Sequence, residues 1–183
     1  MTNAPYYLRQ ARLGYRAGNG VLVDPNTESQ PRSQPMAQYG QLTMGMTAEN
    51  LAERYNISRE EQDEFAYNSQ EKANKAIKSE RFKPEIVPVI LSKKNETYVF
   101  DTDEHPRLSS LAELAALKPV FKKNGTVTAG NSSGRNDGAA MLIVAAEDKA
   151  RELGLKPRAR IIAQASAGVS PEIMGIGPVP ATL

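Results

Sequence analysis

Lys118–Ala140 reads KPVFKKNGTVTAGNSSGRNDGAA, and it runs straight into the apolar segment MLIVAA that ends at Ala146. Small, turn-forming and hydroxyl-bearing residues are packed densely here, directly before a buried-type run. Gly138–Ala146 is continuously apolar, the pattern of a strand covered on both faces of a sheet. A strand of that kind needs a neighbour on each edge. The chain offers Arg158–Ala167, which alternates weakly and reads as a further strand, and little else of comparable apolarity. Alone, the chain would leave apolar surface and sheet edges open, which soluble monomers avoid. The expectation is that these strands belong to a larger sheet.

Working outward, Ser110-Leu-Ala-Glu113 is a capping box that opens a short helix, with Leu111, Leu114 and Leu117 expected inward and Pro119 ending it. Ser58 and Glu61 form a second capping box. The helix behind it places Phe65, Ala66, Ser69, Ala73, Ala76 and Ile77 on one stripe and should end near Arg81, before Pro84. A shorter helix opens at Thr47 and Glu49 and runs through Leu51, Ala52 and Tyr55. Glu85–Leu91 is β-rich but broken by Pro88, and Thr97–Phe100 is a second short strand. Glu147–Leu153 reads as a short helix stopped by Gly154. Thr2–Met46 is punctuated by glycines and prolines and reads as a long surface loop.

Composition excludes several chemistries. The 183 residues contain no Cys and one His, so disulfides, thiolate metal sites, cysteine nucleophiles and two-histidine metal sites are all ruled out within the chain. The lone His105 sits in a charged segment and reads as a surface residue. The net charge of +2, with 23 basic against 21 acidic residues, does not point to nucleic acid. No apolar run approaches the ~20 residues of a membrane span, and Met1–Leu13 has no signal-peptide core. Neither a nucleic acid nor a membrane is an expected partner.

Seven segments, in order, carry a family resemblance: Asn3-Ala-Pro-Tyr6, Met44-Gly-Met-Thr-Ala-Glu-Asn50, Ser58-Arg-Glu-Glu-Gln-Asp63, Glu85-Ile-Val-Pro88, Asp101-Thr-Asp-Glu-His-Pro-Arg107, Lys118–Ala140 and Ile173-Met-Gly-Ile-Gly-Pro178. Together they resemble thiolases, the acetyl-CoA acyltransferases. The resemblance implies an α/β fold made of two repeated halves, each with a mixed five-stranded sheet, and an inserted loop domain that covers coenzyme A. It implies a partial fold with an incomplete sheet here: residues 1–134 as the loop domain, 135–157 as the last part of the first half, and 158–183 leading into the second half.

The same resemblance implies an enzyme that thiolyses 3-ketoacyl-CoA or condenses two acetyl-CoA. Its nucleophilic Cys would precede this chain, and its His and second Cys would follow it. Splitting acyl transfer through a covalent acyl-enzyme divides one hard step into two. No catalytic residue carries over to this chain, and the isolated chain is expected to be inactive. Acyl-CoA or acetyl-CoA, and the remaining thiolase segments or subunits, are the implied partners, with a homo-oligomer and a cytoplasmic location for the intact protein. No metal or organic cofactor is implied, coenzyme A being a substrate carrier. Two other readings stay open, a stand-alone module that binds coenzyme A or docks on a thiolase, and an inactive remnant.

Binding positions carry over one at a time. Ser133 matches a serine that meets the pantetheine arm, where a hydroxyl suits the arm's amides; its alternative is a turn or cap serine. Ala129 matches a small residue that lets the ligand pass. Leu117, Val120 and Phe121 match apolar positions along the coenzyme, or are plain core packing. Arg107 matches an arginine at the adenine end, where a guanidinium can stack and attract phosphate, or is a solvated charge. Glu113 lies where some members have a serine contacting the nucleotide, though its capping box with Ser110 explains it sufficiently and ranks first. Met44 matches a methionine beside the acyl group. The chain departs from the pattern at Thr43, where many short-chain members carry a histidine, at Val120, where Ala is commoner, at Arg135, where an apolar residue is expected, and along the Asn26–Gln38 loop.

Overall fold

A computed structural model describes residues 4–9, 13–93 and 96–183. Asn3, which opens the first of the seven segments, and residues 2 and 10–12 of the expected N-terminal loop lie outside the described residues. The chain divides into two compact units, Gln41–Arg135 and Met1–Gly40 with Asn136–Leu183.

The Gln41–Arg135 unit is built on two helices, α3 (Met44–Tyr55) and α4 (Arg59–Lys78). The α3 helix starts a turn earlier than its apolar pattern predicts. Thr43 is its N-cap, with Oγ1 accepting from the Met46 N–H at 3.2 Å. The helix ends at Asn56, in the left-handed region at φ 52°, which lets the Ile57 N–H reach back to the Ala52 carbonyl at 2.9 Å. Asn is one of the few side chains that tolerates this conformation. The tight link delivers Ser58 as the α4 N-cap. The capping box forms as expected: Glu61 N–H donates to Ser58 Oγ (3.1 Å), and Ser58 N–H donates to Glu61 Oε2 (2.7 Å). The expected apolar stripe of α4 does not make a core face. Phe65 and Ile77 are exposed, and the buried residue of α4 is Asp63.

Beyond α4, Lys83–Glu85 forms a 3-10 turn, and the chain becomes a strand only past Pro88. Pro84 and Pro88 have no N–H to give a ladder, so the expected strand loses its first half. Strands β3 (Val89–Lys93) and β4 (Glu96–Phe100) pair antiparallel, with Val89 opposite Phe100 and Leu91 opposite Tyr98. The α5 helix (Leu111–Ala115) opens at the Ser110–Glu113 capping box, also as expected. Of the three leucines expected inward, only Leu114 is buried; Leu111 and Leu117 are exposed.

In the other unit the expected N-terminal loop carries short elements. Strands β1 (Tyr7–Leu8) and β2 (Leu22–Val23) pair antiparallel, followed by α1 (Pro25–Glu28), a 3-10 turn at Gln30–Arg32 and α2 (Met36–Tyr39). Residues 138–146 and 158–167 form no strand, contrary to expectation. A strand is defined by ladder partners, and these segments find none among the described residues. Met141, Leu142, Ile143 and Val144 are between 78% and 91% exposed, and Ile161 and Ile162 are similarly bare. The α6 helix (Glu147–Glu152) follows and is closed by Gly154 at φ 64°, with the Leu155 N–H bonded to the Ala150 carbonyl. A 3-10 segment at Pro171–Ile176 and α7 (Pro178–Thr182) end the chain. The architecture is α/β with small, incomplete sheets. No helix among the described residues is long and apolar enough to cross a membrane.

Candidate functional site

The glycine-, threonine- and serine-rich stretch is held by side chains from α3 and α4. Glu49, only 3% exposed, points its carboxylate at the backbone of Thr126 and Val127. Oε1 accepts from the N–H groups of Thr126 (3.0 Å) and Val127 (2.9 Å). Oε2 accepts from Thr126 N–H (2.9 Å) and from the Thr126 hydroxyl (3.1 Å). A buried carboxylate is tolerated only when its lone pairs are filled in this way. Thr126 Oγ1 in turn accepts from Gln62 Nε2 at 2.9 Å.

The α4 helix supplies the second anchor. Asp63, 4% exposed, accepts from Arg59 Nε (2.7 Å) through one oxygen and from Asn131 Nδ2 (2.9 Å) through the other. Asn131 bridges further. Its amide donates to the Thr126 carbonyl (2.9 Å) and its Oδ1 accepts from Thr128 N–H (2.7 Å). Arg59 also donates to the carbonyls of Leu114 (2.6 Å) and Leu117 (3.1 Å), which ties the end of α5 to the same cluster. The Leu114 carbonyl also accepts from the Leu117 N–H (3.0 Å), so Arg59 adds a second donor there and supplies one to the Leu117 carbonyl beyond the helix end. The Val120 N–H bonds the Val127 carbonyl at 3.0 Å, closing the loop between them. The result is a polar-cored platform made from four separated stretches of sequence.

The eight residues expected to meet a ligand are not among the buried anchors of this platform. Met44, Arg107, Glu113, Leu117, Val120, Phe121, Ala129 and Ser133 are all exposed. Seven of them, all but Val120, fall at three places. Met44 opens α3, and the Phe121 ring lies against Gly45, where an added Cβ would come within 2.3 Å of it. Leu117 lies against Gly130, its Cδ1 2.6 Å from where a Cβ would sit, so Leu117 flanks the Ala129–Ser133 turn. Arg107 lies near Glu113, and its N–H is fixed by Gln70 Oε1 at 3.0 Å. The Ser110 backbone N–H, then the Ser110 hydroxyl, hold the Glu113 carboxyl below the usual carboxylate range, with Arg107 adding to the effect. Glu113 is thus occupied as a cap. His105 is exposed and uses its backbone N–H on Asp103, consistent with a surface residue.

One hollow of about 240 Å³ opens against the Glu49–Thr126 end of the platform, lined by Glu49, Ala52, Glu53, Ile57, Lys122, Asn124, Gly125 and Thr126. None of the eight expected residues lines it. Across its rim Lys122 and Glu53 pair at 2.7 Å, which raises the lysine and lowers the carboxyl. No group of three or more metal-ligating side chains occurs among the described residues.

Sequence reasoning placed the loop but missed Glu49, Asp63, Arg59 and Asn131 as its anchors. One signal was available: Glu49 stands three residues before Ala52, on the inward face of α3. A carboxylate on a core-facing stripe requires donors, and a segment rich in free backbone N–H groups supplies them.

Comparison with known proteins bears on the whole chain. The family model described as thiolase, N-terminal domain, matches residues 1–148. An acetyl-CoA acetyltransferase of Syntrophomonas wolfei is 49% identical over 191 residues, covering 100% of this chain and 46% of its own length. One from Escherichia coli K12 is 51% identical over 184 residues, with the same coverage. Among solved structures, the Bacillus anthracis acetyl-CoA acetyltransferase superimposes with a TM-score of 0.85 at 48% identity, covering 98% of this chain and 44% of that one. Human mitochondrial 3-ketoacyl-CoA thiolase gives a TM-score of 0.84 at 42% identity, with the same coverage. The chain therefore spans a little under half the length of the relatives it matches.

Proposed function

The chain belongs to the thiolase family, and we propose that it is the coenzyme A-holding part of an acetyl-CoA C-acyltransferase. The observation that carries this reading is the platform of residues 126–131. Buried side chains fix its backbone, yet Ala129 and Ser133 stay open to solvent beside Leu117. A rigid, accessible turn flanked by apolar side chains suits an arm that is mostly apolar and carries two amides.

In this reading Ser133 bonds a pantetheine amide. Ala129 leaves room for the arm. Leu117, Val120 and Phe121 cover its methylenes, and Met44 borders the acyl group. Arg107 faces the nucleotide end, where its charge attracts phosphate. Glu113, engaged by Ser110, acts there as a helix cap. The nucleophilic Cys, its activating His and the second Cys come from other segments. They take the acyl group onto sulfur and move the proton at the α-carbon, for thiolysis of a 3-ketoacyl-CoA or condensation of two acetyl-CoA. This chain contributes binding and orientation, which is where positioning lowers the barrier.

The bare apolar run at Met141–Val144 supports incorporation of this chain into a larger sheet rather than a stand-alone role. Titration calorimetry with coenzyme A tests the reading. Saturable binding that weakens by about three- to tenfold in Ser133→Ala, the scale of one lost neutral hydrogen bond, is the expected result. Absence of binding, or binding indifferent to Ser133, would overturn it. The purified chain alone is expected to show no thiolysis of acetoacetyl-CoA.

A further inference from the structure

We infer that Glu49 is a positioning residue for the coenzyme A site, acting through the backbone of Thr126 and Val127; this rests on the reading just given. Glu49 is only 3% accessible, and donors already occupy both of its carboxylate oxygens. All its bonding capacity is directed at one short piece of main chain: the N–H groups of Thr126 and Val127 and the Thr126 hydroxyl, at 2.9–3.1 Å. That piece leads within two residues to Ala129 and then, through Gly130, to Ser133. The approach is close enough to require glycine at 125, where a Cβ would fall 2.3 Å from Oε1.

The second anchor sits on the far side of the same segment. Asn131 takes the Thr128 N–H and the Thr126 carbonyl while Asp63 holds its amide. The segment is thus clamped by α3 at its start and by α4 at its end. The geometry has a specific requirement. Reach matters more than charge, because the donors are neutral and fixed. Glu49→Gln keeps the reach, and its carbonyl oxygen can still accept both N–H groups. Glu49→Asp keeps the charge but withdraws the carboxylate by one methylene.

The test compares these two variants with the wild-type chain. Coenzyme A binding is titrated at 10 °C, where helix content confirms the folded state, and amide exchange is followed at Thr126 and Val127. Glu49→Gln is expected to bind within about threefold of wild type, and Glu49→Asp to bind about tenfold or more weakly, with exchange accelerated at those two amides while α4 stays protected. Equal affinity in Glu49→Asp and wild type would overturn the inference, as would a loss in Glu49→Gln as large as that in Glu49→Asp, which would mean that reach alone does not decide. If Glu49→Asp does not fold, Thr126→Val carries the test. It removes one of the three donors and preserves shape, and about threefold weaker binding is expected; unchanged affinity overturns the inference. Failure of the wild-type chain itself to bind coenzyme A would instead sink the reading under Proposed function, and the inference with it.

Discussion

Gly125 and Glu49 meet so closely that a single methyl group would not fit between them. A Cβ on Gly125 would lie 2.3 Å from Oε1, 2.7 Å from Cδ and 2.9 Å from Oε2 of Glu49. The carboxylate cannot swing aside without releasing the N–H groups of Thr126 and Val127. Gly125→Ala is therefore expected to destabilise the Gln41–Arg135 unit by about 1–3 kcal/mol, the range for overpacking a tight site. Urea denaturation followed by far-UV dichroism measures this. Gly138→Ala is the control, since nothing lies within 4 Å of its added methyl. An equal loss in both variants would dismiss the steric argument.

The Ser110–Glu113 capping box gives a prediction in pH. Ser110 holds the Glu113 carboxyl below the ordinary carboxylate range. A lowered folded-state value means that the contribution to stability is complete above the ordinary carboxylate range. It is lost as the pH falls through the lowered value. Titration of the Glu113 side-chain carbon by NMR should show that low value, and Ser110→Ala, which removes the hydroxyl but keeps the larger contribution of the backbone N–H, should return it part of the way toward the ordinary range. The same variant should melt slightly lower at neutral pH and lose that difference in acid. A Glu113 titration that ignores Ser110→Ala would refute the assignment.

The bare run at Met141–Val144 gives a prediction about the isolated chain. Leu142 and Val144 are 87% and 78% exposed and lie two residues apart, the spacing that would put them on one face of a strand. The purified chain is expected to bind the dye ANS and to self-associate. Leu142→Lys with Val144→Lys should reduce both without loss of helix content. Light scattering and dye fluorescence decide the matter. A dye-negative monomer from the unmodified chain would show that this run is covered in solution.

The parts of the fold legible in sequence were those settled within one helical turn. Both capping boxes follow from a serine and a glutamate three residues apart, and both formed with the predicted reciprocal bonds. Gly154 closed α6 for an equally local reason. The start of α3 was missed because Thr43 caps it without a glutamate at the third helical position, where Met46 stands instead. The stripe on α4 misled because amphipathic spacing shows which residues share a face, not whether anything covers that face. Here the buried residue of the helix is Asp63, and Phe65 faces out. The strand-like runs were legible as composition only. A ladder needs two chains of donors and acceptors, and the partners of 138–146 are not among the described residues.

The candidate site divides along the same line. Its candidate binding residues could be listed from the motif, but the side chains that hold the loop could not. Glu49 bonds Thr126 across 77 positions, and Asn131 bonds Asp63 across 68. No local pattern records such a pairing. It becomes visible only when two helices and a turn are brought together.

The way this unit is filled sets how it responds to temperature. Its buried residues are Ala52, Leu114 and Val127 on the apolar side, and Thr47, Glu49, Asp63 and Thr128 on the polar side. Exposing apolar surface on unfolding raises the heat capacity, whereas exposing polar surface lowers it. With the two nearly matched, the heat-capacity increment of this unit is small for its size. Its free energy of unfolding is then expected to change with temperature along a shallow curve, so that the platform of residues 126–131 keeps its form over a broad thermal range at a modest maximum stability.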